Sequence, residues 1–309
     1  MGKKGSNAPV LLLIFNRPEL TRRLIDHLRP IQPRVIYVGA DGPRPSKEGE
    51  AARCRAARAE IERIDWPCEV HHRYLDVNAG CRQAVAGAIT WFFQQEEYGI
   101  ILEDDCLPDP SFFRYAAELL EHYRDNPRVM HISGDNPVFF PSTIKASYAF
   151  VTMPLVWGWA TWRRAWERMN LTLTGLEEFD FSTLPLRPLA RRYVKEKFWD
   201  TRQGKNDSWA YAWYFSILRA GGLCILPKKN LVYNAGFGAE ATHTQKENAG
   251  RQIPAGEMDF PLLHPDTLVT CPILDNELFY RAQKSRAGLL GRYVLPRRVR
   301  RFFNRLGWF

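Results

Sequence analysis

The chain has 309 residues, 45% hydrophobic and 25% charged, which is typical of a globular protein and excludes a largely disordered one. Its net charge is +9, but six arginines and no acidic residue lie between Ala287 and Phe309, so the remainder carries only +3. No run of 18 apolar residues exists, the N-terminus lacks a signal-peptide pattern, and the six cysteines form no CxxC pair. We therefore expect a cytosolic protein without disulfides or a zinc site.

The first part of the chain alternates predicted strands and helices. Pro9–Phe15 is a continuous apolar run that predicts a buried strand, and Pro18 followed by leucines at helical spacing predicts a helix. Val35–Val38 predicts a second strand, and the order strand, helix, strand indicates a βαβ unit with a parallel sheet. A charged helix over Ser46–Ile64 and a third strand over Cys68–Tyr74 continue the pattern.

A turn of the form Asn-x-Gly, from Asn78 to Gly80, precedes a predicted helix over Gln83–Gln95. Free backbone N–H groups and the positive end of a helix dipole at such a turn suit a phosphate group. Arg82 would add a bidentate contact to the same phosphate. An ordinary helix cap with glycine in a tight turn explains the pattern equally well, so both interpretations stay open.

An apolar run leads directly into three consecutive carboxylates, in the sequence Ile100-Ile101-Leu102-Glu103-Asp104-Asp105. A run without alternation is typical of a strand covered on both faces, and ligands of open α/β sheets bind at the carboxyl ends of strands. Adjacent carboxylates repel one another and lose solvation near a core unless a cation compensates them. Oxygen ligands favour Mn²⁺ or Mg²⁺. The alternative is an exposed acidic turn.

Further elements are predicted downstream. The predicted helices and strands are Ser111–Tyr123, Val129–Ser133, Leu186–Trp199, a helix containing Trp209 to Ile217, Leu223–Pro227 and Leu231–Tyr233. Asp207 and Ser208 precede one of these helices, and such residues are usually caps. His243, alone in a polar loop, is more typical of a solvated side chain than of a metal ligand.

Four tryptophans lie within ten residues, at Trp157, Trp159, Trp162 and Trp166. Tryptophan faces stack on sugar rings but also fill cores. The i to i+4 spacing of Trp162 and Trp166 indicates a core helix. Trp157, Gly158 and Trp159 are the better candidates for a wall that binds substrate.

Four motifs together resemble the GT-A fold of glycosyltransferases that use nucleotide sugars: Phe15-Asn16-Arg17-Pro18, Ala40-Asp41-Gly42, Asn78-Ala79-Gly80 and Leu102-Glu103-Asp104-Asp105. The order of later residues is similar to the inverting N-acetylglucosaminyltransferase I family. The resemblance implies a Rossmann-like α/β fold with a mixed, mostly parallel central sheet flanked by helices. It implies a GT-A domain at 9–260 with a nucleotide-binding half (9–110) and an acceptor-binding half (111–260). We further expect a disordered segment at 1–8 and a C-terminal extension with a basic amphipathic helix at 261–309.

The resemblance also implies roles at the donor site. Asp105 would bind Mn²⁺ or Mg²⁺ at the diphosphate of the donor, and Glu103 and Asp104 would lie near the ribose and sugar. Asn16, Arg17 and Asp41 would line the base and ribose pocket.

On the acceptor side, the resemblance makes Asp207 the general base that deprotonates the acceptor hydroxyl, with Asp200 as an alternative. His243 would correspond to a carboxyl-terminal metal ligand found in several GT-A enzymes. One base without a nucleophile predicts inversion at the anomeric carbon. We expect a UDP-sugar as donor and a glycan or lipid-linked saccharide as acceptor.

Other enzyme classes fit less well. The chain lacks Gly-x-Gly-x-x-Gly after the first strand and lacks a Walker motif. A sugar-phosphate nucleotidyltransferase would be expected to begin with a glycine-rich loop, which the residues after Phe15 do not form. A non-catalytic protein that binds nucleotides or glycans with the same fold is the other alternative.

The arginines of Leu289–Phe309 alternate with apolar residues at helical spacing. A basic amphipathic helix with terminal Phe and Trp is typical of a helix lying on an anionic membrane surface. We therefore expect a peripheral protein at the inner face of the cytoplasmic membrane, and no binding of nucleic acid. A helix that docks on its own domain is the alternative.

Overall fold

The computed structural model describes residues 8–236, 253–283 and 285–294. Its strands are β1 (Val10–Ile14), β2 (Val35–Ala40), β3 (Glu69–Tyr74), β4 (Tyr98–Glu103), β5 (Cys106–Pro108), β6 (Val129–Ser133), β7 (Tyr148–Val151), β8 (Trp159–Trp162), β9 (Leu223–Pro227) and β10 (Val232–Asn234). Its helices are α1 (Pro18–Leu28), α2 (Glu50–Ala59), α3 (Cys81–Gln95), α4 (Pro110–His122), α5 (Arg163–Trp166), α6 (Pro188–Arg202), α7 (Trp209–Arg219), α8 (Pro272–Ala282) and α9 (Arg286–Tyr293).

Eight strands form one sheet in the order β3-β2-β1-β4-β8-β6-β9-β7, and β5 pairs with β10 in a separate ribbon. Strands β3, β2, β1 and β4 are parallel, β8 is antiparallel to both β4 and β6, and β9 is parallel to β6. Strand β7 closes the sheet antiparallel to β9. The predicted α/β class, with a mostly parallel, Rossmann-like central sheet flanked by helices, is confirmed.

The first βαβ unit forms as its sequence predicts. All five residues of β1 are buried, because the strand has a parallel neighbour on each side and is covered on both faces. Pro18 occupies the first turn of α1, where its missing N–H costs nothing. The helix then buries Leu24, Ile25 and Leu28 against the sheet. The apolar stripe on α1 therefore sets how the helix packs on the sheet.

The tryptophan-rich segment is a strand followed by one helical turn, where the spacing had indicated a helix. Trp159–Trp162 is β8, inserted between β4 and β6, and Trp166 ends the short helix α5. Trp162 and Trp166 are buried, so their predicted place in the core is confirmed. The pairing of β8 with two flanking strands overrides the local helical spacing.

The segment after residue 260 packs on the same core. Residues Leu274, Leu278 and Phe279 of α8 are fully buried, and Thr270 makes a β-bridge with Phe150. Helix α9 follows, and its Arg292 and Tyr293 bind Glu196 of α6, the hydroxyl of Tyr293 at 2.6 Å. The described start of the basic tail is thus docked on the domain. Across residues 8–236, 253–283 and 285–294, no helix is long and apolar enough to cross a membrane.

Candidate functional site

Polar side chains follow five strands that run in the same direction. Arg17 comes after β1, Asp41 after β2, Asn78 after β3, Glu103 ends β4, and Asp135 follows β6. Because the carboxyl ends of these strands meet at one edge of the sheet, the topology gathers these residues at the edge where open α/β sheets bind ligands.

Arg17 supplies the positive charge that the acidic strand end needs. Its guanidinium is in contact with both oxygens of Asp104, and its Nη1 donates to Asp105 Oδ2 at 3.0 Å. Asp104 is 1% exposed and Asp105 is 9% exposed, so these carboxylates lie inside the protein. The alternative of an exposed acidic turn is therefore wrong. Arg17 pairs with two of the acids, and its expected place in the base and ribose pocket stays a prediction.

One guanidinium does not neutralise three carboxylates. Burial, followed by the charges of Asp105 and Asp104, raises the pKa of Glu103 well above its ordinary value. Burial also raises the pKa of Asp104, although Arg17 opposes this. Ionised, the triplet and Arg17 would carry a net charge of −2, which a bound divalent cation would balance.

The charge and the oxygen donors of the acids therefore suit a hard divalent cation. Other ligands would have to complete its coordination. Within the described ranges, no three or more His, Cys, Asp or Glu side chains are grouped so that they could hold a metal ion by themselves. Mg²⁺ and Mn²⁺ are commonly held by one or two carboxylates together with substrate phosphates and water. Glu103 and Asp105 are the residues that would hold it.

The second expected cluster, Asp41 with the Asn-x-Gly turn, is assembled by hydrogen bonds. Asp41 Oδ1 accepts from the N–H groups of Gly42 and Ala79, both at 2.8 Å. Its Oδ2 accepts from the side-chain amide of Asn78 at 2.9 Å and from the N–H of Gly80 at 3.2 Å. The N–H groups that we expected to bind a phosphate donate hydrogen bonds to Asp41 instead. The turn therefore fixes the position of the Asp41 carboxylate.

Asp207 reaches this turn from the start of α7. Its Oδ1 accepts from the N–H of Arg82 at 3.3 Å, at the N-terminus of α3, where a carboxylate interacts well with the helix dipole. The helix cap of α7 is instead Ser208, whose hydroxyl accepts from Tyr211 N–H. Asp207 itself is exposed. The structure thus separates the capping residue from the carboxylate that faces the site.

The thiol of Cys81 lies within the electrostatic influence of both clusters. Burial and the nearby charges of Glu103, Asp207 and Asp41 raise its pKa to about 12. Asp41 and Asp207 accept hydrogen bonds from the residues on either side of Cys81, and Glu103 is near enough for its charge to act on the thiol. Asp200, the alternative base, pairs with Lys197 on its own helix at 3.6 Å.

Two residues beside Asn16 were not predicted. The buried Glu50 accepts from the side-chain amide of Asn16 at 2.9 Å and binds Arg44 through both oxygens. Arg44 lowers the pKa of Glu50 to about 2, and its guanidinium lies over the ring of Phe15 at 5.7 Å. Glu50 is the first residue of α2, whose many charged residues are typical of a helix exposed to solvent. The local sequence therefore does not indicate that the side chain of Glu50 is buried.

The side chain of Arg82 makes other contacts than the phosphate contact that the sequence predicted. Its Nη1 donates to the carbonyl of Thr201 at 3.0 Å and its Nη2 binds the carbonyl of Leu171. A guanidinium that binds two carbonyl oxygens ties α3 to the loop before α6 and to α6 itself. It does not point to a phosphate at the start of α3.

Of the three residues predicted to form a wall that binds substrate, two have structural roles. Trp159 is 0% exposed, with its ring stacked on His131 at 4.8 Å and on Trp209 at 5.7 Å, so it lies in the core. Gly158 has φ of +65° and accepts a backbone hydrogen bond from Gly134, which is a structural role. Trp157 is partly exposed and is the member of the trio that reaches a cavity.

The segment that follows Asp105 brings in a second strand pair. Strand β10 pairs with β5, Ala235 N–H donates to the carbonyl of Asp105 at 2.8 Å, and Asn234 lies beside its carboxylate. A Cβ at Gly236 would come within 2.2 Å of Asp105 Oδ2, so only glycine fits there. His243, and the tail from residue 295 onward, lie outside the described residues.

No family model matches the sequence, and no curated protein is similar enough to match. The fold is similar to a UDP-glucose pyrophosphorylase complexed with UDP-glucose, with TM-score 0.38, 10% identity, and 73% of this chain and 92% of that one covered. It is also similar to a structure described as a glucose-1-phosphate thymidylyltransferase from Bacillus anthracis in complex with sucrose, with TM-score 0.35, 10% identity, and coverage of 77% and 98%. At these scores the likenesses do not assign a function.

Proposed function

We propose that the protein is an inverting glycosyltransferase that moves a sugar from a nucleoside diphosphate sugar, a UDP-sugar by preference, to a hydroxyl of a glycan or lipid-linked saccharide. The supporting observation is the convergence at one sheet edge of the buried acids paired with Arg17, the Asp41 turn and the exposed Asp207. The excess of carboxylates over cations there favours a ligand that arrives with a divalent ion, as a sugar nucleotide does.

In this reaction the acceptor oxygen forms a bond to the anomeric carbon while the bond from that carbon to the diphosphate oxygen breaks. The electron pair leaves with the diphosphate, and the acceptor proton passes to Asp207. Arg17 fixes Asp104 and Asp105 in place. A bound Mn²⁺ or Mg²⁺ would stabilise the negative charge on the leaving group.

Asp207 is suited to the role of base because it is exposed yet held in position. One of its oxygens accepts from the backbone of Arg82, and the other lies close to Gly80. That second oxygen can take a proton from an incoming hydroxyl. The ion pair of Asp200 with Lys197 makes Asp200 the weaker candidate.

Calorimetric titration with UDP, GDP and CDP, in Mn²⁺ and in EDTA, tests the donor site. We expect one nucleotide to bind only with the metal. Asp105→Asn should weaken that binding at least about tenfold, because it removes a charged ligand of the metal, and even changes to groups next to metal ligands typically cost about 10–100-fold in metal affinity. Asp200→Asn is the matched control and should bind as the wild type does. Equal binding by Asp105→Asn, or no nucleotide binding, would contradict the proposal.

Product analysis separates the reaction classes once a nucleotide is known. A glycosyltransferase incubated with its sugar nucleotide and acceptor releases the nucleoside diphosphate. A nucleotidyltransferase given pyrophosphate would instead release a nucleoside triphosphate and a sugar 1-phosphate. Nucleotide binding without either product would indicate a non-catalytic binding protein.

A further inference from the structure

Strand β3 is the edge of the eight-stranded sheet, and its described neighbour is β2. The N–H groups of Glu69 and Leu75 donate to carbonyls on the β2 side, at 2.8 and 2.9 Å. Because the backbone groups of a strand alternate in direction, the odd-numbered residues of β3 bond to β2. The N–H and C=O groups of Val70, His72 and Tyr74 therefore point away from the sheet, where no described segment pairs with them.

The described helices at this end of the sheet lie inside the edge strand. Helix α3 packs on β1 and β2, and α2 packs on α1. The side chain of Glu69 is 68% exposed, and His72 is also exposed. A row of outward backbone groups on an edge strand is a template for pairing with another chain. A strand of a second molecule can therefore approach β3 in the plane of the sheet.

The order of charges along β3 is self-complementary. Side chains alternate between the faces of a strand, so Glu69, His71 and Arg73 share one face. His71 stacks on Tyr37 at 4.6 Å, and the guanidinium of Arg73 lies beside Gly87 of α3. Charges on an edge strand commonly prevent pairing with other chains. Here an acid begins the strand and a base lies near its end, so a copy running in the opposite direction brings base against acid.

One antiparallel register satisfies both the backbone and the charges. Centred on His71, it places Val70 opposite His72 of the second copy, a pair whose outward groups exchange two backbone hydrogen bonds. It places Glu69 opposite Arg73 of the second copy, at a pair without backbone hydrogen bonds, where side chains lie closest. The two-fold axis repeats each pair. A register centred on His72 would bring Arg73 against His71 and lose both acid–base pairs.

We propose that the protein forms a two-fold symmetric dimer in which the β3 strands of two copies pair antiparallel, centred on His71. The two eight-stranded sheets then form one continuous sheet, and the pairs between Glu69 and Arg73 fix its register. Because the strands of the two copies run in opposite directions, their acidic edges lie at opposite edges of the joined sheet. Neither copy covers the candidate site of the other, and the inference does not depend on the proposed function.

Sedimentation equilibrium of the full chain, from micromolar to near-millimolar protein, tests the dimer. We expect the wild type to associate to a dimer. Glu69→Arg and Arg73→Glu each place like charges opposite one another at both symmetric pairs and should weaken association by at least about tenfold. The double variant, Glu69→Arg with Arg73→Glu, restores opposite charges and should dimerise about as the wild type does.

His72→Pro tests the backbone pairing separately. Proline is tolerated on an edge strand where the N–H points outward, so β3 should keep its bonds to β2. The substitution removes two hydrogen bonds of the dimer by symmetry and should weaken association by at least about tenfold.

Glu178→Arg is the matched control, because Glu178 is exposed, lies away from β3 and undergoes the same change of charge as Glu69→Arg. It should dimerise as the wild type does, and thermal unfolding checks that each variant is folded. A wild type that stays monomeric throughout the concentration range would overturn the inference. So would association that the single reversals or His72→Pro leave unchanged, equal weakening by Glu178→Arg, or a double variant that fails to recover.

Discussion

His131 is held uncharged in the aromatic core. It is fully buried, its Nε2 donates to the carbonyl of Leu155 at 2.8 Å, and its Nδ1 accepts from the indole N–H of Trp213 at 3.2 Å. These two partners satisfy a single neutral tautomer. Burial lowers its pKa from 6.5 to about 3, partly opposed by the bond to Leu155.

We predict that the stability advantage of the wild type over His131→Asn shrinks as the pH falls. The unfolded chain binds a proton at His131 below about pH 6.5, whereas the folded protein does so only near pH 3. In that window the unfolded state holds more protons, so the free energy of unfolding falls by about 1.4 kcal/mol per pH unit. Urea unfolding of both proteins at several pH values between about 4 and 7 measures the difference.

Comparing the wild type with His131→Asn cancels the opposing pH dependence that Asp275 adds to the free energy of unfolding. Burial raises the pKa of Asp275 to about 6, so its share of the free energy of unfolding increases as the pH falls below 6, equally in both proteins. A constant difference for His131→Asn across the range would contradict the neutral buried histidine.

At the scale of an element, the N-terminus of α3 positions Asp207. Gly80 has φ of +81° and ψ of 155°, a conformation open mainly to glycine, and a Cβ there would lie 3.0 Å from Asp207 Oδ2. We expect Gly80→Ala to displace the carboxylate and lower turnover of the sugar nucleotide by about tenfold or more, besides destabilising the turn by ~1–2 kcal/mol.

Gly204→Ala is a control that introduces backbone strain at a positive φ without displacing the Asp207 carboxylate. Gly204 also has a positive φ, +69°, but no atom lies within 4 Å of its hypothetical Cβ. This variant should lose stability in urea unfolding yet retain turnover. If Gly80→Ala keeps full turnover under conditions where it is folded, Asp207 does not need this support.

Some elements and contacts could be predicted from sequence and others could not. Helix α1 follows from Pro18 and its apolar spacing, because both act within the helix itself. The Arg17 contacts join residues 87 and 88 positions apart, and Asp207 meets Arg82 across 125, which no local pattern encodes. Strand β8 escaped prediction because its pairing partners, not its own spacing, decide its conformation.

At the scale of the whole molecule, positive charge is concentrated in the C-terminal tail and not in the domain. Five of the six tail arginines, from Arg297 onward, follow the docked helix α9. We predict that deleting residues 295–309 abolishes flotation with anionic liposomes, since each basic residue contributes on the order of 1 kcal/mol at such a surface. Changing those five arginines to glutamine should have the same effect while keeping the apolar residues.

Zwitterionic liposomes serve as the control for this experiment and should bind neither protein. Flotation of the truncated chain at the wild-type level would show that the tail is not the membrane contact. Raised salt should weaken flotation of the full chain, because it screens the charges.

The antiparallel strand β8 has a consequence for how the chain can be divided. It joins β4 to β6 through registered pairs from Tyr98–Trp162 to Ile101–Trp159 on one side and Ile132–Ala160 on the other. A fragment that ended at residue 110 would leave β4 as a bare apolar edge, which invites aggregation. The two halves inferred from the sequence are therefore not separable modules. The carboxylates of the first half are held in place by a ladder that the second half completes.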